Sequence, residues 1–184
     1  MTLTEDSRER VDAWLTDFRE RYDGFERVDE RWDVSPGYYE TTHDRFESGE
    51  NGGAGIWVTN DEGSVLLVRD AGDDGWVDPG GKREAGETFA EAARRETREE
   101  TGVECAITGL LSAHVLEIVD ETDSGRPALY SLIAIFTGEP VSEDPSPRPR
   151  DGEIAAVEWF DAPPETVGYP QVAERPFPGD RTPY

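Results

Sequence analysis

The chain has 184 residues, of which 35% are hydrophobic and 10% aromatic, enough to bury one sizeable core. Its 42 acidic residues outnumber its 18 basic residues, and the net charge of -24 disfavours binding to nucleic acid polymers. A single cysteine, Cys105, excludes an intrachain disulfide and a cluster of thiolate metal ligands.

The N-terminal region contains one predicted element, an amphipathic helix over residues 5–22. Its apolar residues recur at spacings of three and four, as on one face of a helix. They are Val11, Trp14, Leu15, Phe18 and Tyr22. Residues 23–53 are polar and turn-rich, with aromatic residues but no sustained period, so the pattern assigns no element there.

A β-hairpin is predicted where Gly55–Thr59 and Ser64–Arg69 flank the turn sequence Asn60–Gly63. After a connection rich in glycine, Phe89–Thr101 is predicted to be a helix that ends at Gly102.

The second half of the chain is predicted to supply strands, mostly antiparallel. Apolar runs at residues 105–119 and 128–137 are separated by a polar turn, and a strand pattern resumes at Glu153–Phe160. We interpret residues 141–152 as a mobile loop because they contain three prolines and little apolar surface. A short helix is predicted near Pro163–Val167, followed by an ordered tail.

Three acidic residues of the predicted helix share one face. Glu96, Glu99 and Glu100 stand at i, i+3 and i+4, so their carboxylates lie together and repel one another. A hard divalent cation such as Mg²⁺ relieves that repulsion, because it prefers carboxylate, water and phosphate oxygens. A solvated helix with surface ion pairs is the ordinary alternative for such a sequence.

The surrounding residues resemble the Nudix box. Gly81, Glu87, the pair Arg95-Glu96, the pair Glu99-Glu100 and Gly102 match its fixed positions, and only Thr97 departs from its pattern, where an aliphatic residue is usual. The resemblance extends over residues 54–165. It implies an α/β fold, the Nudix α/β/α sandwich with a mixed β-sheet and a loop-helix-loop motif. We therefore predict an N-terminal extension (1–53), a Nudix hydrolase domain (54–165) and a C-terminal tail (166–184).

The resemblance also implies roles for single residues. Glu99 and Glu100 are expected to bind Mg²⁺ or Mn²⁺ together with the backbone carbonyl of Gly80, and Glu96 is expected to be a ligand or the base. Glu87 and Arg95 are expected to tie the loop to the helix and orient the glutamates. In several Nudix enzymes the base lies in a distal loop; four acidic residues are available there, and Glu153 is preferred among them. They are Glu143, Asp144, Asp151 and Glu153.

Two basic residues of the loop and the two histidines of the chain have other expected roles. Lys82 and Arg83 follow the box glycine, where they are expected either to contact substrate phosphates or to be ordinary exposed charges. His43 and His114 are far apart in sequence and are expected to be structural or on the surface.

The reaction implied by the resemblance is hydrolysis of the pyrophosphate bond of a nucleoside diphosphate linked to another group, with ADP-ribose or a nucleotide sugar as the first guess. A housecleaning triphosphatase for oxidised nucleotides is an alternative, and a Nudix fold that only binds a nucleotide is an alternative of another class. The N-terminal segment resembles extensions through which some such enzymes form homodimers.

The composition predicts the surroundings in which the protein works. No segment approaches the roughly 20 apolar residues of a membrane span, and the first residues lack the features of a signal peptide, so we expect a cytoplasmic protein with no membrane partner. The excess of acid, with Lys82 as the only lysine, resembles that of haloarchaeal proteins. In molar salt the Debye length is about 3 Å and the repulsion between carboxylates is screened.

Overall fold

The computed structural model describes residues 2–142, 147–150 and 152–179. The helices are α1 (Leu3–Arg21), α2 (Pro36–Glu47), α3 (Phe89–Thr101) and α4 (Pro170–Glu174). The strands are β1 (Glu26–Val34), β2 (Gly53–Thr59), β3 (Val65–Asp70), β4 (Gly80–Lys82), β5 (Cys105–Asp120), β6 (Leu129–Pro140) and β7 (Ile154–Phe160).

The strands form one mixed sheet in the order β1-β5-β6-β2-β3-β7, with β4 paired to β2. The β2/β3 hairpin and the β5/β6 pair are antiparallel as predicted, whereas β1–β5 and β2–β6 are parallel. Residues of α1 and α3 pack in one core on one face of the sheet, and residues of α2 and the tail pack in two further cores on the other. The predicted α/β/α arrangement with a mixed sheet is therefore confirmed.

Helix α3 has its ends specified by local residues. Thr88 and Glu91 form a capping box at its start, and Gly102 adopts a φ of 72° at its end, which favours glycine. Thr97, where an aliphatic residue is usual in the family, is fully buried on the face of α3 that packs against the sheet. Glu96 and Glu100 lie at the edge of this buried face, where α3 meets the loop that carries Gly80 and Gly81.

The segment without predicted structure, residues 23–53, contains β1 and α2. Strand β1 pairs in parallel with β5, about eighty residues later in the chain, so its role depends on a partner remote in sequence. Its inner positions alternate as expected for a strand, but Glu30 occupies one of them and interrupts the apolar pattern. That carboxylate is accommodated because His114, Gln171 and Trp32 direct hydrogen-bond donors at it. The predicted division of the chain at residues 54 and 165 stays a prediction.

The predicted helix at Pro163–Val167 is wrong. Val167 instead forms an isolated parallel bridge with Trp76, whose backbone N–H donates to the carbonyl of Thr166 and whose carbonyl accepts from the N–H of Gly168. Helix α4 begins instead at Pro170, which is preset for a first helical position. No helix among the described residues is long and apolar enough to cross a bilayer.

Candidate active site

The glutamate face of α3 lies against the loop that carries Gly80 and Gly81. Glu100 Oε2 accepts a hydrogen bond of 2.9 Å from the backbone N–H of Gly80. The Glu96 carboxylate lies over Gly81, where a Cβ would stand 2.6 Å from Glu96 Cδ. A Cβ on Gly80 would stand 2.6 Å from the carbonyl oxygen of Ala54 on β2. The backbone of β2 therefore requires a glycine at position 80, whereas at position 81 only the end of the Glu96 side chain opposes a larger residue.

Arg95 joins the loop to the helix, as expected from the resemblance. Its Nε and Nη2 donate to the two carboxylate oxygens of Glu87 at 2.7 and 2.9 Å, a bidentate pair. Nη2 also donates to the carbonyl of Lys82, and Nη1 donates to Glu96 Oε1 at 2.8 Å. The Arg95 guanidinium lowers the pKa of Glu87, chiefly through these hydrogen bonds.

Glu153 lies near the helix, although it is more than fifty residues away in sequence. Arg150 Nη1 lies 3.2 Å from Glu153 Oε2 and 3.4 Å from Glu99 Oε2. The Arg150 backbone N–H donates to the carbonyl of Glu100, which holds this part of the chain against the end of α3. The Arg150 guanidinium thus contacts both Glu153 and Glu99. The other distal candidates, Glu143, Asp144 and Asp151, lie outside the described residues.

The electrostatic environment of Glu100 is the most perturbed in the site. Burial raises the pKa of Glu100 to about 8, and the negative charges of Glu96, Asp70 and Asp78 add to the effect. The Gly80 N–H opposes it by stabilising the carboxylate. A partly buried carboxyl group among like charges is a favourable position for a cation.

The side chains are not already arranged as metal ligands. Within residues 2–142, 147–150 and 152–179, no three histidine, cysteine or acidic side chains form a metal-binding group. Glu96 and Glu99 are instead directed toward Arg95 and Arg150. The donor chemistry nevertheless fits a hard cation, because three carboxylates share one helix face and burial disfavours the charge of Glu100 without a counterion.

A cavity of about 830 Å³ begins at the β4 loop and extends across the sheet. The volume lies within the range of ligand pockets for small molecules. Its floor includes the apolar side chains of Leu116, Ile118, Ile133 and Ile135. Its walls come from segments outside the box: Glu30 and Trp32 of β1, Tyr38, Thr41, Thr42 and Arg45 of α2, and Tyr169, Gln171 and Arg175 of the tail.

The tail is anchored to this cavity by a buried ion pair. Arg175 Nη1 lies 2.6 Å from Asp78 Oδ1, and both side chains are almost fully buried. Tyr169 donates its hydroxyl hydrogen to the same carboxylate. Further along, Phe177 packs edge-on against Trp57, which donates its indole N–H to the carbonyl of Pro176. The predicted ordered tail is therefore observed through residue 179.

The two basic residues of the loop differ in their surroundings. Arg83 is buried, with only 8% of its surface exposed, and its guanidinium donates to the carbonyls of Gly49, Asn51 and Glu87. The expectation that Arg83 is a phosphate contact or an exposed charge is therefore wrong, because these carbonyls occupy its donors. Lys82 is exposed and lines the cavity, and it has no hydrogen bond or ion pair from its side chain in the described part of the chain.

Sequence reasoning missed the cavity walls. His114, expected to be structural or on the surface, is buried in the cavity wall and contacts Glu30 at 3.2 Å and Ser112 at 3.1 Å, in agreement with a structural role. For the wall formed by β1, the alternation of Val28, Trp32 and Val34 was a sequence signal that could have predicted a strand. The wall formed by the tail could not be predicted from a local pattern, because it depends on the contact of Arg175 with Asp78, almost a hundred residues away in sequence.

The family model described as NUDIX domain matches residues 50–170. The chain belongs to the Nudix family. The RNA pyrophosphohydrolase of Halorhodospira halophila is 51% identical to it over 59 residues, 32% of this chain and 33% of the relative. A Nudix hydrolase of Caenorhabditis elegans is 38% identical over 105 residues, 54% of this chain and 25% of the relative.

The Nudix chain thus spans only a third or a quarter of the length of these curated relatives. Among solved structures, a Nudix hydrolase from Nitrosomonas europaea is 26% identical with a TM-score of 0.47, over 60% of this chain and 72% of that one. Neither curated relative comes from a haloarchaeon, so the comparisons do not support the predicted haloarchaeal origin.

Proposed function

We propose that this Nudix protein hydrolyses the pyrophosphate bond of a nucleoside diphosphate linked to another group, with ADP-ribose or a nucleotide sugar as the first substrate to test. The observation that carries the proposal is that Gly80 and Gly81, which contact the carboxylates of Glu100 and Glu96, also line a cavity of about 830 Å³ with an apolar floor. If the pyrophosphate binds at the glutamates, one of the two groups attached to it, the nucleoside or the other group, can extend into the cavity.

The acidic face requires a cation for this chemistry. Glu96, Glu99 and Glu100, with the carbonyl of Gly80, would hold Mg²⁺ or Mn²⁺, which would neutralise phosphate oxygens and activate the attacking water. Arg95 would keep Glu96 turned toward Gly81 through their 2.8 Å hydrogen bond. Glu153 is the proposed base on the water, since Arg150 holds it near Glu99.

The remaining polar groups suggest how the substrate is oriented. Lys82 extends at the box end of the cavity and is free to contact a phosphate. Trp32 and Tyr38 stand in the cavity wall, and the Tyr38 side chain is 46% exposed, so both rings are available to a nucleobase. We assign the nucleoside arm to this part of the cavity.

The decisive experiment uses a panel of ADP-ribose, nucleotide sugars, dinucleoside polyphosphates, NADH and ordinary and oxidised nucleoside triphosphates, in molar KCl with Mg²⁺ or Mn²⁺. Separation of the products by chromatography should show a nucleoside monophosphate released from a diphosphate derivative. Pyrophosphate released from a triphosphate would instead support the housecleaning activity. Nucleotide binding without turnover of any compound would support the non-catalytic module.

Glu100→Gln should abolish turnover while the fold is retained, and Glu104→Gln is the matched control. Glu104 is exposed and follows the same helix, and its side chain has no hydrogen bond or ion pair to the site among the described residues. A fully active Glu100→Gln variant would contradict the proposal.

For the nucleoside arm, Trp32→Ala and Tyr38→Ala should raise KM more than they lower kcat, whereas Tyr38→Phe should retain the wild-type KM.

We also propose that the protein works in a salt-rich cytoplasm. The support is the ratio of 42 acidic to 18 basic residues. Activity should rise from low to molar KCl, because screening reduces repulsion both within the chain and between the chain and an anionic substrate. Highest activity at low salt would contradict this proposal.

A further inference from the structure

Strand β1 lies at one end of the sheet and, among the described strands, has a neighbour on one side only. It pairs with β5 over all nine residues, and no other strand within the described residues pairs with its outer edge. An edge of this length offers a row of backbone donors and acceptors to another strand. Helices α1 and α2 pack mainly against the inner strands β5 and β6 rather than against β1.

The sequence of β1 is complementary to itself when read in the opposite direction. If two copies pair antiparallel about Glu30, Arg27 lies opposite Asp33 and Asp29 lies opposite Arg31. All four of these side chains are exposed on the same face of the strand. Each copy therefore meets the other with four oppositely charged pairs, the arrangement that stabilises neighbouring strands.

The second face of β1 is also compatible with this register. Val28 lies opposite Trp32, so an aliphatic residue meets an aromatic one on both sides of the two-fold axis. Only Glu30 meets its own copy. Its carboxylate is held within its own subunit by hydrogen bonds from Trp32, His114 and Gln171, which also supply positive dipoles.

We infer that two copies of this chain form a dimer by antiparallel pairing of their β1 edges, in the register that centres on Glu30. The two sheets then become one continuous sheet. Because Glu30 and Trp32 line the cavity, the pairing places Val28 of one copy beside the cavity wall of the other. This inference is independent of the reaction that the site catalyses.

The alternative explanation of charges on β1 is that they protect a lone edge from pairing. The two explanations differ in what rearranged charges should do. The swap Arg27→Asp/Asp29→Arg keeps the net charge and the ion pair within the strand, which joins Arg27 and Asp29 at 2.6 Å. It nevertheless places like charges opposite each other between the copies, at positions 27 and 33 and at positions 29 and 31. The swap Arg31→Asp/Asp33→Arg has the same effect from the other half of the strand.

The test is sedimentation of the full chain in molar KCl over a wide range of protein concentration. A single strand pair buries little area, so the wild-type dimer should be reversible and should dissociate on dilution. Each swapped variant alone should dimerise at least about tenfold more weakly, since four attractive pairs become repulsive. The variant that carries both swaps should dimerise like the wild type.

An equimolar mixture of the two swapped variants provides the sharpest measurement. One copy of each kind restores all four opposite pairs, so a heterodimer should form at wild-type strength, which also shows that both variants are folded. The inference is overturned if the wild type stays monomeric at the highest concentration, if the swapped variants dimerise as the wild type does, or if the mixture does not recover the dimer.

Discussion

The Glu96 carboxylate lies against the α-carbon of Gly81, at the position where any larger residue would place its Cβ. The backbone of Gly81 is not in the left-handed region, so an alanine meets no conformational penalty there. Only the far end of a flexible side chain opposes it. A substitution at Gly81 is therefore expected to disturb the position of Glu96 without disturbing the fold.

Gly81→Ala should displace the Glu96 carboxylate and lower kcat by at least about tenfold, with little loss of thermal stability. Steady-state kinetics and a melting curve measure the two effects. In the double variant Gly81→Ala/Glu96→Gln the losses should not add, because both substitutions act through one carboxylate. Additive losses would show that Gly81 acts by another route.

Arg95→Lys should weaken the response to Mg²⁺ by about 10- to 100-fold, because an ammonium group cannot hold Glu87 with two parallel hydrogen bonds and reach Glu96 as well. Activity measured against Mg²⁺ concentration gives the comparison. Arg94→Lys is the matched control, since Arg94 is exposed beside it on α3 and, among the described residues, has no hydrogen bond to the site. Equal Mg²⁺ dependence in both variants would rule out the orienting role of Arg95.

The raised pKa of Glu100 predicts how stability depends on pH in the absence of metal. The folded chain holds a proton at Glu100 up to about pH 8, whereas a carboxyl group with the ordinary value of 4.5 has lost it well below that pH. The folded state therefore binds more protons between these values, and the free energy of unfolding should fall as the pH rises from 5 to 8. The scale is about 1.4 kcal/mol for each unit by which the pKa is displaced.

Glu100→Gln should remove this dependence and stabilise the chain near pH 8, as measured by urea unfolding with a chelator present. Glu104→Gln should retain the wild-type slope. Magnesium binding should release a proton below pH 8, because a ligating carboxylate must be ionised. A wild-type slope in Glu100→Gln would place the titrating group elsewhere.

The buried pair of Asp78 and Arg175 should be costly to break from one side. Arg175→Met leaves a buried carboxylate without its cation and should cost about 3–5 kcal/mol of stability. The double variant Asp78→Asn/Arg175→Met should recover much of that loss, because no charge is left buried. Unfolding free energies of the three proteins decide between these outcomes.

Arg21→Met supplies the control for an exposed ion pair. Arg21 lies 2.7 Å from Asp17 on the surface of α1, and such pairs contribute about 0–1 kcal/mol. If Arg175→Met costs no more than Arg21→Met, then the tail is not held to the cavity by its charge.

The chemistry of α3 could be predicted because it is local. A helix of 3.6 residues per turn places Glu96, Glu99 and Glu100 on one face whatever surrounds it, and Thr88 and Gly102 specify its ends. The family motif added the loop glycines, and the structure brings that loop to this face. The prediction of a short helix at residues 163–167 was wrong because the bridge between Val167 and Trp76 outweighed a weak local preference for helix.

The sequence by itself therefore determined the acidic helix, the hairpin before it and the strands after it, since each depends on neighbours within a few turns or one strand length. Only the tertiary structure decided what surrounds the glutamates. Parallel pairing of β1 with β5 and the contact of Arg175 with Asp78 join residues about eighty and a hundred positions apart, and no local pattern specifies which residues meet. Burial of Arg83 was decided in the same way, because the carbonyls that accept its hydrogen bonds converge only when the chain is folded.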